Sequence, residues 1–233
     1  MTENNLTERN CLETAAQKAA RQAGLELKEE GAGLTLSGGG RELRADFTRL
    51  LPRIRPDNLN REFLVRAARL KSAGDLPLAV DATAGLGEDA FLLAAAGFRV
   101  RLYEYDPVIA ALLEDGLRRA AEVPELQQIA ARMELIAGDS VAALYHLPER
   151  PDVVLLDPMF PARKKSALVK KKFQLLQKLE LPCADEKELL EAAIAAGPKK
   201  IVIKRPLKGP VLAGKTPSYS LRGKAIRYDC LVL

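Results

Sequence analysis

Leu78-Ala79-Val80-Asp81-Ala82-Thr83-Ala84-Gly85-Leu86-Gly87-Glu88-Asp89 is the stretch that decides the fold. A short apolar run reaches an acid, then a Gly-x-Gly turn, then an apolar segment from Phe91 to Ala96 with helical character. Strand, glycine turn and helix in that order form the first βα unit of a nucleotide-type α/β sheet. Gly85 and Gly87 let the backbone turn tightly and approach a ligand where a Cβ would clash. Asp81 stands at the strand end, and Glu88 and Asp89 stand where a pyrophosphate would meet the helix N-terminus. Carboxylates there repel a phosphate and favour a ligand that offers donors or positive charge.

S-adenosylmethionine, with its ammonium, sulfonium and ribose hydroxyls, fits those carboxylates better than a dinucleotide. The chain on either side supports a sheet of that kind. Arg99 to Glu104 reads as the second strand, and Pro107 opens a long helix, as proline at the first helical position should. Glu125 to Arg132 reads as a short helix, Met133 to Ala137 as the third strand and Val141 to Tyr145 as a further helix. Asp152 to Leu156 is a continuously apolar fourth strand, the mark of burial on both faces. Lys171 to Leu179 and Glu186 to Ala196 are predicted helices, Lys200 to Lys204 the fifth strand, and Tyr219 to Val232 a closing hairpin. Five βα-type strands followed by an antiparallel pair give the pattern of a Rossmann-like class I methyltransferase sheet.

Ahead of it, Leu12 to Ala23 has helical spacing. Two alternating strands follow around Glu-Glu-Gly-Ala-Gly, and Glu42 to Phe47 can supply a third. These predict a small N-terminal α+β domain over residues 1–48 and a methyltransferase-type domain over 49–233. Arg49 to Arg55, basic and bracketed by prolines, reads as the linker between them.

Composition narrows the setting. A hydrophobic fraction of 48% supplies a core, and 29% charged residues argue for a soluble protein. No apolar run nears the roughly 20 residues needed to span a bilayer, and the N-terminus has no secretory pattern. Three scattered cysteines (Cys11, Cys183, Cys230) suggest neither metal ligation nor disulfides, so a reducing cytoplasm and no metal are expected. The single histidine, His146, is expected on the surface and leaves no basis for a His-centred triad. From Pro151 onward 17 Lys and Arg face 8 Asp and Glu, whereas the first 150 residues carry 19 against 23. Positive charge gathered after the cofactor motif suggests a polyanionic substrate, nucleic acid above all.

The glycine loop alone is ambiguous, because Gly85-Leu-Gly87-Glu-Asp-Ala90 also satisfies a dinucleotide pattern. Glu104, ending the second strand, would accept ribose hydroxyls of either cofactor. As a strand-end acid at a cleft it is expected to serve the ligand rather than the fold. Asp139-Ser140 follows the third strand, where methyltransferases place an acid or amide against the adenine amine. Asp157-Pro158-Met159-Phe160 ends the fourth strand in the form of the [DN]-P-P-[YF] motif of amino-methyltransferases, with methionine at the second proline. An exocyclic amine is a poor nucleophile because its lone pair is delocalised into the base. A carboxylate and a backbone carbonyl can hold it in line with the methyl group, and an aromatic ring can stack on the base. Asp157, Pro158 and Phe160 supply those parts. The match of Gly209 to Thr216 to a P-loop pattern is accidental, since Pro217 follows at once and no helix can. Arg163-Lys164-Lys165 and Lys170-Lys171-Lys172, close behind Phe160, read as phosphate contacts.

Together, Val80 to Gly87 with Asp89-Ala90-Phe91, Leu155 to Pro161, Lys165-Ser-Ala-Leu-Val-Lys-Lys171 and Val202-Ile-Lys-Arg-Pro206 resemble the ribosomal RNA small-subunit methyltransferase J family. The resemblance covers about Val80 to Arg205. It implies methylation of the exocyclic N2 of one guanosine in 16S rRNA, with S-adenosyl-L-methionine as cofactor. It also implies cofactor contacts at Glu88, Asp89, Glu104, Tyr105, Asp139, Ser140 and Asp157, besides the loop residues Asp81, Gly85 and Gly87. Glu88, Tyr105 and Asp139 depart from the family's usual residues. Two rival functions stay open on the sequence: an NAD-dependent oxidoreductase, and an inert RNA-binding protein that kept the fold.

Overall fold

The computed structural model describes residues 15–71, 76–158, 175, 179 and 185–233. Its centre is a seven-stranded sheet built from β4 (Leu78–Asp81), β5 (Arg99–Glu104), β6 (Met133–Ala137), β7 (Val153–Leu156), β8 (Lys200–Pro206), β9 (Tyr219–Arg222) and β10 (Ile226–Val232). Across the sheet they lie in the order β6-β5-β4-β7-β8-β10-β9. The first five are parallel to one another; β10 runs antiparallel between β8 and β9. The chain winds from β4 outward through β5 and β6, then returns to the other side of β4 for β7 and β8. Strand order therefore reverses between β4 and β7, which is where ligands bind in open α/β sheets.

Side chains alternate faces along each strand, and both faces are apolar in the middle of the sheet. Val153 and Leu155 join Ala79, Val100, Leu102, Val202 and Cys230 in one core. Val154 and Leu156 join Val80, Tyr103, Ile201, Ile203 and Leu231 in the other. The first core is covered by α4 (Phe63–Ala68), α5 (Glu88–Ala95) and α7 (Pro124–Ala130), and the second by α8 (Ser140–Leu144) and α9 (Glu186–Ala195). Full burial of side chains such as Phe91 and Leu92 stabilises by roughly 1.5–3 kcal/mol each.

The N-terminal part comprises a helix over residues 15–22, here α1, and an antiparallel sheet β1 (Glu26–Glu30), β2 (Gly33–Gly38) and β3 (Arg41–Leu43). It packs on α6 (Pro107–Ala121): Leu27, Leu36 and Leu43 share a core with Val108, Ile109 and Leu112. Asp115 of α6 fastens it, accepting from Leu34 N–H at 3.0 Å and from Arg119 and Arg118 at 2.8 and 2.6 Å. Those partners overcome its burial and hold the Asp115 carboxyl below the usual range.

Residues 49–55 are not a linker. Phe47–Leu50 form a 3-10 turn capped by Asp46, and Leu51–Ile54 form α2 with Pro52 in its first turn. Phe47 is buried and stacks on Phe91 with ring centroids 4.5 Å apart, while Arg53 grips Glu62 through two hydrogen bonds of 2.7 and 2.8 Å. The alternation of apolar Phe47, Leu50, Leu51 and Ile54 with arginines marks a segment that covers α5. Pro56–Leu59 continue it as α3.

Candidate active site

The site sits at the carboxyl ends of β4 to β8, and the glycine turn opens it. Gly85 and Gly87 have φ of +54° and +74°, both in the left-handed region. A Cβ on Gly87 would stand 2.6 Å from Leu113 and 3.3 Å from Phe47, so this glycine is required by packing. A Cβ on Gly85 would meet nothing within 4 Å, so that side of the loop faces open space. The Gly85 N–H donates to Glu104 Oε2 at 2.8 Å, and Asp106 N–H donates to Glu104 Oε1 at 2.9 Å. Glu104 thus anchors the loop as well as facing the cleft, so it serves the fold too. Burial pushes its carboxyl up, partly offset by these N–H donors.

On one side of the turn lies the β5–β6 edge. Tyr105 follows Glu104 and is 72% exposed, a free aromatic face beside the cleft. Asp139 caps α8, accepting from Val141 N–H at 2.9 Å through one carboxylate oxygen, and Ser140 is the first residue of that helix. The pairing of Glu104 with Ala137 sets these residues next to each other at one end of the sheet.

The switch point holds the charged centre. Asp81, Asp157, Lys204 and Tyr228 follow the strand alternation onto one face, the face that α5 covers, and Asp89 enters from the first turn of α5. Lys204 Nζ lies 2.5 Å from Asp89 Oδ2 and 2.9 Å from Asp157 Oδ2. Asp157 N–H donates to Thr83 Oγ1 at 2.7 Å, which pins the end of β7 to the turn after β4. Thr83 N–H in turn donates to Asp81 Oδ1 at 3.1 Å. Asp81 is buried, and desolvation, reinforced by Asp89 and Asp157, pushes its carboxyl up to about 7. Burial alone would lower the Lys204 ammonium, but Asp89 and Asp157 outweigh it and hold it above the ordinary lysine range. The Asp157 carboxyl is raised by burial and by Asp89 against the pull of Lys204. Its side chain remains 39% exposed, open to an incoming group. Pro158 is buried behind it.

Sequence reasoning missed Lys204 and Thr83 as parts of this centre. A lysine ending the apolar run Ile201-Val202-Ile203 was a usable signal for the first; nothing local distinguishes the threonine. Met159, Phe160 and the two basic runs between 163 and 172 lie outside the described residues. His146 is exposed. Among the described residues, no group of three or more His, Cys, Asp or Glu could hold a metal ion, and no helix is long and apolar enough to cross a membrane. A separate groove of about 560 Å³, lined by Ile54, Leu59, Val65 and Phe98 among others, lies at the amino ends of the strands, away from this chemistry.

The donor set discriminates between ligands. From Ala84 to Asp89 the turn presents two carboxylates and no lysine or arginine, with Glu104, Asp139 and the buried Asp81 around it. That is a poor cradle for a pyrophosphate and a suitable one for a cationic, hydroxyl-bearing ligand. S-adenosylmethionine fits it.

Comparison with known proteins agrees. Residues 6–233 match a family model described as "Putative SAM-dependent methyltransferase". A ribosomal RNA small subunit methyltransferase J of Thioalkalivibrio sulfidiphilus is 43% identical over 241 aligned positions, covering 95% of this chain and 94% of its own. One from Aeromonas salmonicida is 48% identical over 171 positions, covering 73% of this chain and 68% of its own. Among solved structures, a SAM-dependent methyltransferase of Neisseria gonorrhoeae superposes with a TM-score of 0.69 at 33% identity, over 88% of this chain and 81% of that one.

Proposed function

The chain belongs to the ribosomal RNA small subunit methyltransferase J family of SAM-dependent methyltransferases, and from that premise we propose that it is a cytoplasmic enzyme methylating the exocyclic N2 amine of a guanosine in 16S rRNA. It is an S-adenosylmethionine-dependent enzyme acting on ribosomal RNA. The small ribosomal subunit, or its RNA, is the partner this reading assigns.

The observation that carries the reading is Asp157, fixed at both its backbone and its carboxylate and still open to a substrate at the switch point. S-adenosylmethionine supplies an electrophilic methyl group on a positively charged sulfur. Asp157 accepts an N–H of the guanine amine and so turns the nitrogen lone pair toward that methyl; the carboxylate also takes the proton the amine sheds. Pro158, buried and without an N–H, fixes the turn and leaves its carbonyl as a second acceptor. Phe160 is assigned to stacking on the base, as its place in the motif suggests. Holding reactants in near-attack geometry is the main lever available here, since no covalent intermediate is needed.

The remaining residues are assigned to the cofactor. Glu104 keeps lone pairs for the ribose hydroxyls after accepting from Gly85 and Asp106. Tyr105 offers a face to the adenine, and Asp139 with Ser140 its polar edge. Asp81, Glu88 and Asp89 lie around the loop, their carboxyl groups outnumbering the single Lys204 ammonium, which suits a cationic ligand, and Gly85 gives the close approach. For RNA, the described residues contribute a basic rim at the same end of the sheet. Lys208, Arg222 and Lys224 are exposed on the loop after β8 and the β9–β10 turn, and residues 207–226 contain no Asp or Glu. The hydrogen bond from Leu207 N–H to Ala225 O, 3.0 Å, ties those two segments together.

Mass spectrometry of small-subunit rRNA from cells lacking the protein tests the assignment. The expected result is loss of one N2-methylguanosine, restored by the purified enzyme with S-adenosylmethionine. Binding of NAD(H) with no affinity for S-adenosylmethionine would overturn it in favour of an oxidoreductase.

A further inference from the structure

Lys204 is the cation at the centre of the site, and its surroundings are unusual. Among the described residues, the ionisable groups whose charge bears on this centre come from the elements that meet there. Asp81 arrives from β4, Asp89 from α5, Asp157 from the end of β7, Tyr228 from the neighbouring position of β10, and Arg53 from α2 behind Tyr228. Arg205, next in sequence, donates to Glu186 and to the carbonyl of Pro210 and adds a weaker pull of its own on the Asp157 carboxyl, behind that of Lys204. Arg53 is occupied by Glu62. Two carboxylates therefore share one ammonium, with the Asp81 carboxyl close enough to feel all three charges. Like charges so close cannot all ionise without a cation between them.

The lysine is not placed for proton abstraction. Two carboxylates hold it protonated, at 2.5 and 2.9 Å, so it has no free lone pair for an amine's proton. Nor is it simply a stabilising pair. Its side chain is only 24% exposed, and desolvating two charges commonly offsets most of what their attraction returns. What the arrangement does supply is direction: Asp157 Oδ2 is fixed by the ammonium while the side chain stays 39% exposed.

We propose that Lys204 is a positioning residue for methyl transfer: shared between Asp89 and Asp157, its ammonium keeps the Asp157 carboxyl ionised and aimed at the acceptor amine. The inference rests on the reading of Asp157 as the amine's acceptor. A protonated Asp157 would present a hydroxyl donor to an N–H donor, and the amine would lose its orientation. Asp89 is the counterweight. It shares the lysine, and without the lysine it would push a proton onto Asp157.

Single-turnover methyl transfer to small ribosomal subunits from cells lacking the protein, at saturating S-adenosylmethionine and across a pH range from about 5.5 to about 9, tests this. Lys204→Met is expected to move the acid limb of the rate profile upward by about one pH unit or more, the shift typical of removing an opposite charge at this distance. For a one-unit shift the rate should fall by up to about tenfold on the acid side of the limb and recover at the alkaline end. Lys204→Arg, which keeps the charge, should return the limb toward that of the unsubstituted protein. The double variant Lys204→Met with Asp89→Asn should shift it less, because one repelling carboxylate is gone. It also serves if Lys204→Met alone does not fold. A rate lowered equally at all pH values, or an unmoved acid limb, would overturn the proposal and leave Lys204 a purely structural residue. Asp157→Asn separates the premise: if that variant turns over normally, the Asp157 reading fails, and the Lys204 proposal falls with it.

Discussion

At the residue scale, the cost of the site is concentrated in Asp81. Its carboxyl is fully buried against two other acids, and burial raises it from 3.8 to about 7. A group whose folded pKa lies above its unfolded value favours the folded state in its protonated form. Its favourable contribution is complete below about pH 4 and is lost as the pH climbs through about 7. Asp81→Asn removes that penalty while keeping an acceptor for Thr83 N–H. Denaturant titrations should show the variant more stable than the parent at about pH 8, by on the order of a few kcal/mol, with the difference shrinking toward zero at about pH 4. A constant difference at both pH values would mean that Asp81 stays charged when buried. An acid retained at such a cost is consistent with service to a cationic ligand.

The glycine turn is the element whose two halves answer to different masters. Gly87 meets the fold: its left-handed φ and the side chains of Leu113 and Phe47 leave no room for a Cβ. Gly85 meets the cleft, since its Cβ direction is empty. Gly87→Ala should therefore destabilise by about 2–4 kcal/mol, from backbone strain plus overpacking. Gly85→Ala should cost about 1–2 kcal/mol for the left-handed conformation alone. Calorimetry should then show the inverse order for S-adenosylmethionine, with affinity reduced at Gly85→Ala because the new methyl group occupies the approach to the ligand. Equal stability losses, or an unchanged affinity at Gly85→Ala, would contradict this division. The 3-10 turn from Phe47 belongs with the loop, because it presses on the loop's floor through Phe91.

For the whole molecule, the informative quantity is where charge lies relative to the sheet. The register of β8 with β10 pairs Pro206 with Ile226. That places the β9–β10 turn at the sheet end that carries the site. Arg227, buried, donates to the carbonyls of Pro206, Leu207 and Gly209 at 2.8 to 3.0 Å and to Asp229. The basic rim is thereby held on a rigid support. Neutralising Lys208, Arg222 and Lys224 to glutamine should flatten the salt dependence of rRNA binding, by about 0.7–0.9 in slope for each phosphate no longer neutralised. S-adenosylmethionine affinity should be unchanged. A full salt slope in the triple variant would place RNA docking elsewhere, such as the basic runs after Phe160.

The amino-acid sequence by itself determined the order of strands and helices, because apolar periodicity, glycine turns and proline starts are local. It pointed to the glycine loop, the acid at the end of β5 and the Asp157-Pro158 turn as the candidate site, because residue types at strand ends can be read locally. It misread residues 49–55 as a linker, since prolines and arginines look alike in a loop and in a short helix pressed on a core. Only the tertiary structure decided that β8 lies beside β7 and that the first turn of α5 reaches the end of β8. That adjacency brings Lys204 between Asp89 and Asp157, and Thr83 under the Asp157 backbone. It also turned Glu104 into an anchor for the glycine loop. Such interactions join residues far apart in the chain, and their energies depend on burial and on neighbouring charge. Neither is a property of any local stretch, which is why the residue types proposed for the site could be read in sequence while their electrostatics could not.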